Sequence, residues 1–107
     1  MTDQNQQLVD YCHSGRKKVN GWFARNDGEL FLALLTLQKT LGVTGGMAEI
    51  GVHHGKSFIP LCLALGAGEK AMCIDIFEDQ SHNEDASGQG DRAVFEANLG
   101  KFGVDTG

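Results

Sequence analysis

Cysteine is scarce in this chain, and its spacing argues against the usual cysteine-based frameworks. Three cysteines occur among 107 residues, at Cys12, Cys62 and Cys73, and no two of them form a C-x-x-C pair. An odd count without paired spacing does not support a disulfide framework or a zinc site. Cys62 and Cys73 lie in apolar runs, which predicts buried, reduced thiols and a cytoplasmic location.

Targeting segments, long apolar runs and positive charge are also lacking. The first ten residues, MTDQNQQLVD, have no basic start and no apolar core, so we do not expect a signal peptide. No apolar run approaches the roughly 18 residues of a membrane span. The formal net charge is −5, and residues 16–18 form the main basic cluster. Because phosphate binding needs clustered Lys and Arg, we expect no nucleic-acid partner. The missing apolar run argues against a membrane, and a small molecule is therefore the expected partner. The sequence leaves open whether the chain forms a homo-oligomer.

The first 44 residues predict a helical region. Apolar residues make up 41% of the chain, which is enough for a packed core. A helix is expected over residues 4–14, and a second one begins near Asn26, where Asn26 and Glu29 form an N-cap pair. Gly42 is expected to end it. Its apolar stripe has helical spacing and comprises Leu30, Leu34, Leu37 and Leu41.

The remainder, residues 45–107, predicts alternating strands and helices. Strands are expected over 47–51 and 71–77, with a helix over 57–65 that Ser57 caps. The second strand is nearly continuous in apolar residues, a pattern typical of parallel strands buried on both faces. A polar loop follows over 78–90. Asp91 then opens a helix with Phe95, Leu99 and Phe102 on one face, which Gly103 ends.

These elements predict the fold class α/β. Strand, helix and strand over roughly 30 residues form a βαβ unit, whose crossover should be right-handed. Residues 1–44 are the predicted helical N-terminus, and residues 45–107 are the first part of a Rossmann-like domain. One βαβ unit leaves parallel strands with uncovered faces, so we expect a truncated domain.

The segment AEIGVHHGKS carries the most informative motif. Glu49, Gly51 and Gly55 form an acid-x-G-x-x-x-G pattern between a predicted strand and a predicted helix. The glycines permit a tight turn and let a ligand approach the backbone. Asp75 lies 20 residues after Gly55, near the end of the next strand. An acid there can accept hydrogen bonds from two ribose hydroxyls, and ligands of open α/β sheets bind at this edge.

Three ligands compete for this motif. A dinucleotide site needs G-x-G-x-x-G, but His53 stands where the middle glycine should be. A P-loop needs one more residue between the glycines, and Glu49 would repel phosphate. S-adenosylmethionine (SAM) accounts for both acids and both glycines. One acid suits its positive methionine end, the turn passes close to the nucleoside, and Asp75 takes the ribose.

Three segments together resemble class I SAM-dependent methyltransferases. They are EIGVHHGKS, CIDIFEDQ and the SGQGD…F…NL stretch, and they are most similar to the small-molecule group called methyltransferase family 24, over about residues 21–102. The resemblance implies the truncated SAM-methyltransferase fold, SAM as the cofactor, and an enzyme that transfers a methyl group to a small-molecule acceptor. It assigns no catalytic residue, because the chain ends before the family's catalytic positions.

The resemblance also implies a role for each motif residue. Glu49 faces the methionine portion, and Asp75 holds the ribose. The cofactor turn comprises Gly51, Val52, His53 and Gly55. The helix start near the methionine carboxylate comprises Lys56 and Ser57, and the residues packed against the nucleoside are Ile76 and Phe77.

Two other functions stay open. One is an NAD(P)-type Rossmann oxidoreductase with an irregular glycine turn, and the other is a non-catalytic, truncated cofactor-binding fragment. No metal site is expected, because the side chains of adjacent His53 and His54 should diverge. An EF-hand over residues 85–96 is disfavoured, since Ser87 and Gln89 occupy ligand positions.

Two further segments have alternative interpretations. The loop over 78–90 is either solvated surface or a lid on the substrate or cofactor. Trp22 and Phe23, in a short apolar connection, are expected to be packing anchors rather than a surface on which a ligand stacks.

Overall fold

The fold combines helices with a small parallel sheet. A computed structural model describes residues 4–79, 81 and 90–105. The elements in chain order are α1 (Gln4–His13), a 3-10 turn (Gly15–Lys18), α2 (Arg25–Thr40), β1 (Met47–Ile50), α3 (Phe58–Leu63), β2 (Ala71–Ile74) and α4 (Arg92–Lys101). The strands are parallel, with Met47 opposite Ala71 and Ile50 opposite Ile74. The predicted strand–helix–strand unit and the mixed α/β composition are confirmed at this level.

The start of α2 differs from the prediction. The N-cap is Ala24, whose N–H donates to the Asp27 carboxylate at 2.9 Å. Asn26 therefore lies inside the first turn, and Glu29 forms an i,i+4 ion pair with Arg25 at 3.2 Å. The Asn26–Glu29 cap was wrong because Asp27, the next residue along, accepts the backbone N–H instead.

The helices α2 and α4 end at the glycines that the sequence predicted. Gly42 has φ +74°, and the N–H groups of Gly42 and Val43 donate to the carbonyls of Lys39 and Gln38. This is a Schellman motif, which satisfies the last helical carbonyls and requires a residue that tolerates positive φ. Gly103, also at φ +74°, ends α4 through the equivalent pair of bonds. At the other end of α4, the Asp91 carboxylate accepts from the Val94 N–H at 3.2 Å, which confirms the predicted cap.

One buried cluster connects the N-terminal helices with the βαβ unit. Its members are Leu8, Tyr11, Cys12, Val19, Phe23, Val52, Phe58, Ile59, Leu63, Phe95 and Leu99. Each large apolar side chain buried in this way contributes about 1.5–3 kcal/mol. Phe23 is thus the predicted anchor, and its ring packs edge-on against Phe31 at 4.9 Å. Trp22 is not an anchor, because 75% of it is exposed.

The described residues cover one face of the sheet and leave the other exposed. Met47, Glu49, Ala71 and Cys73 lie on the partly buried face, on the side of α3. On the other face, Ile50, Met72 and Ile74 are 81%, 62% and 55% exposed. The expectation that 71–77 is buried on both faces is therefore wrong for the described residues, since their helices supply a single covering layer. The predicted strand is also too long, and β2 ends at Ile74.

The cysteines are free thiols of unequal burial. Cys12 is buried, whereas Cys62 and Cys73 are half-buried and not fully buried as predicted. Both are partly buried and pack against the edge of the core. Burial, with smaller contributions from Cys73 and Glu49, raises the pKa of the Cys62 thiol to about 11. Among the described helices, none combines the length and apolar character that crossing a bilayer requires.

Candidate functional site

The turn after β1 lies beside the end of β2. The Gly51 N–H donates to the Ile74 carbonyl at 2.7 Å. This bond places Gly51 beside Asp75, the residue after Ile74. Gly51 has φ +82°, and a Cβ added there would meet nothing within 4 Å. Gly55 has φ +89°, but its added Cβ would lie 3.1 Å from the buried Phe95 ring. Gly55 is thus needed for packing, whereas Gly51 presents bare backbone to open space.

Asp75 holds two strained backbone positions. Its Oδ2 accepts from the His53 N–H at 2.8 Å, and its Oδ1 accepts from the Phe77 N–H at 2.6 Å. Both donors belong to residues with φ +52°, a conformation that side-chain-bearing residues rarely adopt. A carboxylate offers about four lone-pair sites. Asp75 can therefore fix the turn and still accept hydrogen bonds from a ligand.

Glu49 is a half-buried acid with one unused oxygen. Its Oε1 accepts from the Ser57 hydroxyl at 2.5 Å, while its Oε2 is buried and makes no hydrogen bond. Burial raises the pKa of Glu49, and the Ser57 hydrogen bond acts in the opposite direction. Ser57 therefore does not cap α3 as predicted, because its hydroxyl is directed at Glu49. A buried acceptor without a donor is unfavourable, and it suits a cationic or N–H-bearing ligand.

Glu49→Gln is expected to stabilise the chain at neutral pH. Since the folded-state pKa of Glu49 lies above its ordinary 4.5, the folded state binds this proton more tightly than the unfolded state does. Its stabilising contribution is complete below pH 4.5 and is lost as the pH rises through the folded-state pKa. The variant should therefore exceed the wild type by roughly 0.5 kcal/mol at pH 7, allowing for solvent screening, with the difference shrinking toward pH 4.5.

Urea unfolding at pH 7 and at pH 5 measures this difference. The matched control is Glu29→Gln, a glutamate on the surface of α2 that is 50% exposed. The control should change the free energy of unfolding by the same small amount at both pH values, so that only Glu49→Gln gives a difference between pH 7 and pH 5. A Glu49→Gln effect that does not vary with pH would contradict the assignment.

The turn is tied to the N-terminal helices through Lys56. The Tyr11 hydroxyl donates to the Lys56 carbonyl at 2.6 Å, and the Lys56 ammonium donates to the Gly21 carbonyl at 3.2 Å. Burial raises the pKa of Tyr11, so its hydroxyl stays protonated and acts as a donor. The first bond holds α1 against the turn, and the second holds the segment before α2 there.

The two histidines stack and do not diverge as predicted. Their ring centroids are 3.9 Å apart, with an angle of 31° between the planes. His53 also has a positive φ, +52°, which adjacency in the sequence does not reveal. The Nδ1 of His54 is buried and makes no hydrogen bond. The Trp22 ring lies 5.2 Å from that of His53.

The remaining predicted site residues, Val52, Ile76 and Phe77, differ in how deeply they are buried. Val52 is 2% exposed and belongs to the core. Ile76 is 50% exposed beside the turn, whereas the Phe77 ring packs against Phe95 at 5.3 Å. In the part of the chain that the structure describes, no group of three or more His, Cys, Asp or Glu side chains could hold a metal ion. Most of the loop over 78–90, interpreted either as solvated surface or as a lid, lies outside the described residues, and so do positions 85–89 of the EF-hand segment over 85–96.

Sequence patterns missed two residues of the site. Trp22 was expected to be packed, but it borders the turn through His53. Gly90 is buried, and a Cβ added there would lie 3.2 Å from the His53 Cα. A signal for Gly90 existed in the sequence, because a glycine between polar residues often permits close approach of two backbones.

Comparisons with known proteins add no family to these observations. No protein-family model matches the chain, and no curated protein or solved structure matches it. The candidate function therefore depends on the chemistry of the turn and of its two carboxylates.

Proposed function

We propose that the chain binds SAM as the first part of a Rossmann-like methyltransferase that acts on a small-molecule acceptor. The observation that carries the proposal is the hydrogen bond from the His53 N–H to Asp75, at 2.8 Å. It joins the glycine turn after one parallel strand to the acid after the next. That edge of a parallel sheet is where nucleoside-containing ligands bind.

The chemistry of the turn fits the parts of SAM. The unused, buried Oε2 of Glu49 suits the ammonium of the methionine portion. Gly51, open to solvent at φ +82°, lets a nucleoside approach the backbone closely. The remaining lone pairs of Asp75 suit two ribose hydroxyls, and the exposed Ile76 side chain offers an apolar contact for the base.

The same geometry supports SAM over a dinucleotide. His53 stands at the position of the middle glycine, and its ring stacks on His54, so the turn lacks the bare backbone that a pyrophosphate needs. The Glu49 carboxylate would also repel a phosphate. Ser57, at the start of α3, directs its hydroxyl to Glu49 and not toward a ligand.

Binding and alignment are what this chain's residues contribute to the reaction. SAM supplies a methyl group activated by its sulfonium. Glu49 and Asp75 fix the two ends of the cofactor, and the Asp75–His53 bond keeps the turn in a single conformation. Since methyl transfer is an in-line displacement, holding the donor in one orientation accounts for much of the rate enhancement.

Parallel calorimetric titrations of SAM and NADH into the purified chain test the proposal. We expect saturable binding of SAM, and of its demethylated product S-adenosylhomocysteine, with no saturable heat from NADH. Saturable NADH binding without SAM binding would favour the NAD(P)-type oxidoreductase. A folded chain that binds neither ligand would overturn the proposal and favour the non-catalytic fragment.

A further inference from the structure

An exposed aromatic surface borders the turn. Trp22, the single tryptophan of the chain, is 75% exposed. Its ring lies 5.2 Å from that of His53, which stacks on His54 at 3.9 Å. The three ring systems therefore follow one another, with the largest facing solvent. We call Trp22, His53 and His54 the aromatic platform.

The platform is held directly against the proposed cofactor turn. Gly21 has φ +151°, and a Cβ added there would lie 3.3 Å from the His53 Nδ1. The segment that carries Trp22 thus passes along His53, whose N–H is bound by Asp75. A molecule stacked on Trp22 would lie next to the turn that the proposed cofactor occupies.

Positive charge lies at the edge of the platform. The Lys56 ammonium donates to the Gly21 carbonyl at 3.2 Å, adjacent in sequence to Trp22. An ammonium has three N–H groups, so this bond leaves donors for an anion. The Asp75 carboxylate, which binds the His53 N–H, is directed at backbone N–H groups of the turn.

We propose that the aromatic platform and Lys56 bind the methyl acceptor, and that the acceptor is a planar aromatic acid. The inference rests on the proposed methyl transfer and names its substrate class. A tryptophan face binds a planar ring by offset stacking, which a saturated ring cannot reproduce. Lys56 binds the carboxylate of the acceptor as a point charge.

Trp22 fluorescence tests this site directly, because no other tryptophan contributes to the signal. Three probes are titrated without SAM: 4-hydroxybenzoate, the saturated-ring acid cyclohexanecarboxylate, and the uncharged phenol. We expect saturable quenching by 4-hydroxybenzoate, with phenol and cyclohexanecarboxylate each bound at least about fivefold more weakly. Equal binding of the saturated acid, or no saturable response to 4-hydroxybenzoate, would overturn the proposal.

Calorimetry with two variants locates the binding. Trp22→Leu and Lys56→Met should each weaken 4-hydroxybenzoate binding by roughly tenfold, whereas Leu41→Ala, at another exposed apolar position, should not change it. Unchanged binding in Trp22→Leu would place the ligand elsewhere and refute the platform.

A separate SAM titration distinguishes this proposal from the methyltransferase proposal. Binding of 4-hydroxybenzoate without SAM binding would refute methyl transfer and leave the aromatic site in place. If the chain binds SAM but does not bind 4-hydroxybenzoate, the platform proposal is refuted and the cofactor proposal stands.

Discussion

Asp75→Ala should lower the free energy of unfolding by about 3 kcal/mol and abolish SAM binding. The carboxylate is the shared acceptor for the N–H groups of His53 and Phe77, at 2.8 and 2.6 Å. Each hydrogen bond to a charged group is worth about 1.5–3 kcal/mol. His53 and Phe77 also both have φ +52°, and a residue with a side chain keeps this conformation only if the surrounding contacts hold it there.

Urea unfolding gives the stability change, and calorimetry with SAM gives the loss of binding. Asp79→Ala is the matched control, because the Asp79 carboxylate also accepts from a backbone N–H, that of Ser81, but only within its own loop. The control should cost less than about 1 kcal/mol and leave SAM affinity unchanged. Asp75→Asn keeps one acceptor oxygen and should fall between the wild type and Asp75→Ala.

The stability result does not depend on the identity of the ligand. If Asp75→Ala costs no more than the Asp79→Ala control, the carboxylate does not hold the turn and the site geometry is wrong. If stability falls as expected while wild-type SAM binding is absent, Asp75 is a structural residue only.

Local signals predicted the helix ends well, because a cap is decided within a few residues. Gly42 and Gly103 stop their helices at positive φ, and Asp91 caps α4, as the sequence indicated. The start of α2 is the exception. Asn26 and Asp27 are adjacent and both can cap, and the chain uses Asp27 in the reciprocal position to bind the Ala24 N–H. Neighbouring residues of similar chemistry cannot be ranked by pattern alone.

The spacing of the motif predicted that the glycine turn and Asp75 would lie at one edge of the sheet, but not which residues they contact there. Two adjacent parallel strands bring their ends to one edge, which follows from the βαβ pattern. The stacking of His53 on His54 accompanies a positive φ at His53, and the sequence specifies neither. The proximity of Trp22 to His53 is a contact between segments about 30 residues apart, and composition carries no information about it.

Apolar patterns likewise predicted strand positions without predicting how each face is covered. The run over 71–77 favours a strand with two apolar faces, and β2 does carry Met72 and Ile74 opposite Ala71 and Cys73. Whether a face is buried depends on which elements pack on it, and the described helices pack on one side.

Gly51→Ala should weaken SAM binding by roughly 100-fold while destabilising the fold only slightly. An added Cβ meets no protein atom within 4 Å, so the cost to folding is the strain at φ +82°, about 1 kcal/mol. In the complex, the methyl group would occupy space that the nucleoside uses. Overlap of this kind costs about 1–3 kcal/mol, and each 1.4 kcal/mol is a factor of ten in affinity.

Gly42→Ala isolates the effect on binding, because both glycines combine a positive φ with open space where a Cβ would stand. Gly42 also has a positive φ, +74°, and open space around its added Cβ, but it ends α2 away from the turn. Both variants should lose about 1 kcal/mol of stability in urea unfolding, whereas only Gly51→Ala should lose SAM affinity in calorimetry. Since backbone strain is common to the pair, equal affinity would show that no ligand approaches Gly51, and the turn would then be a structural connection between β1 and α3.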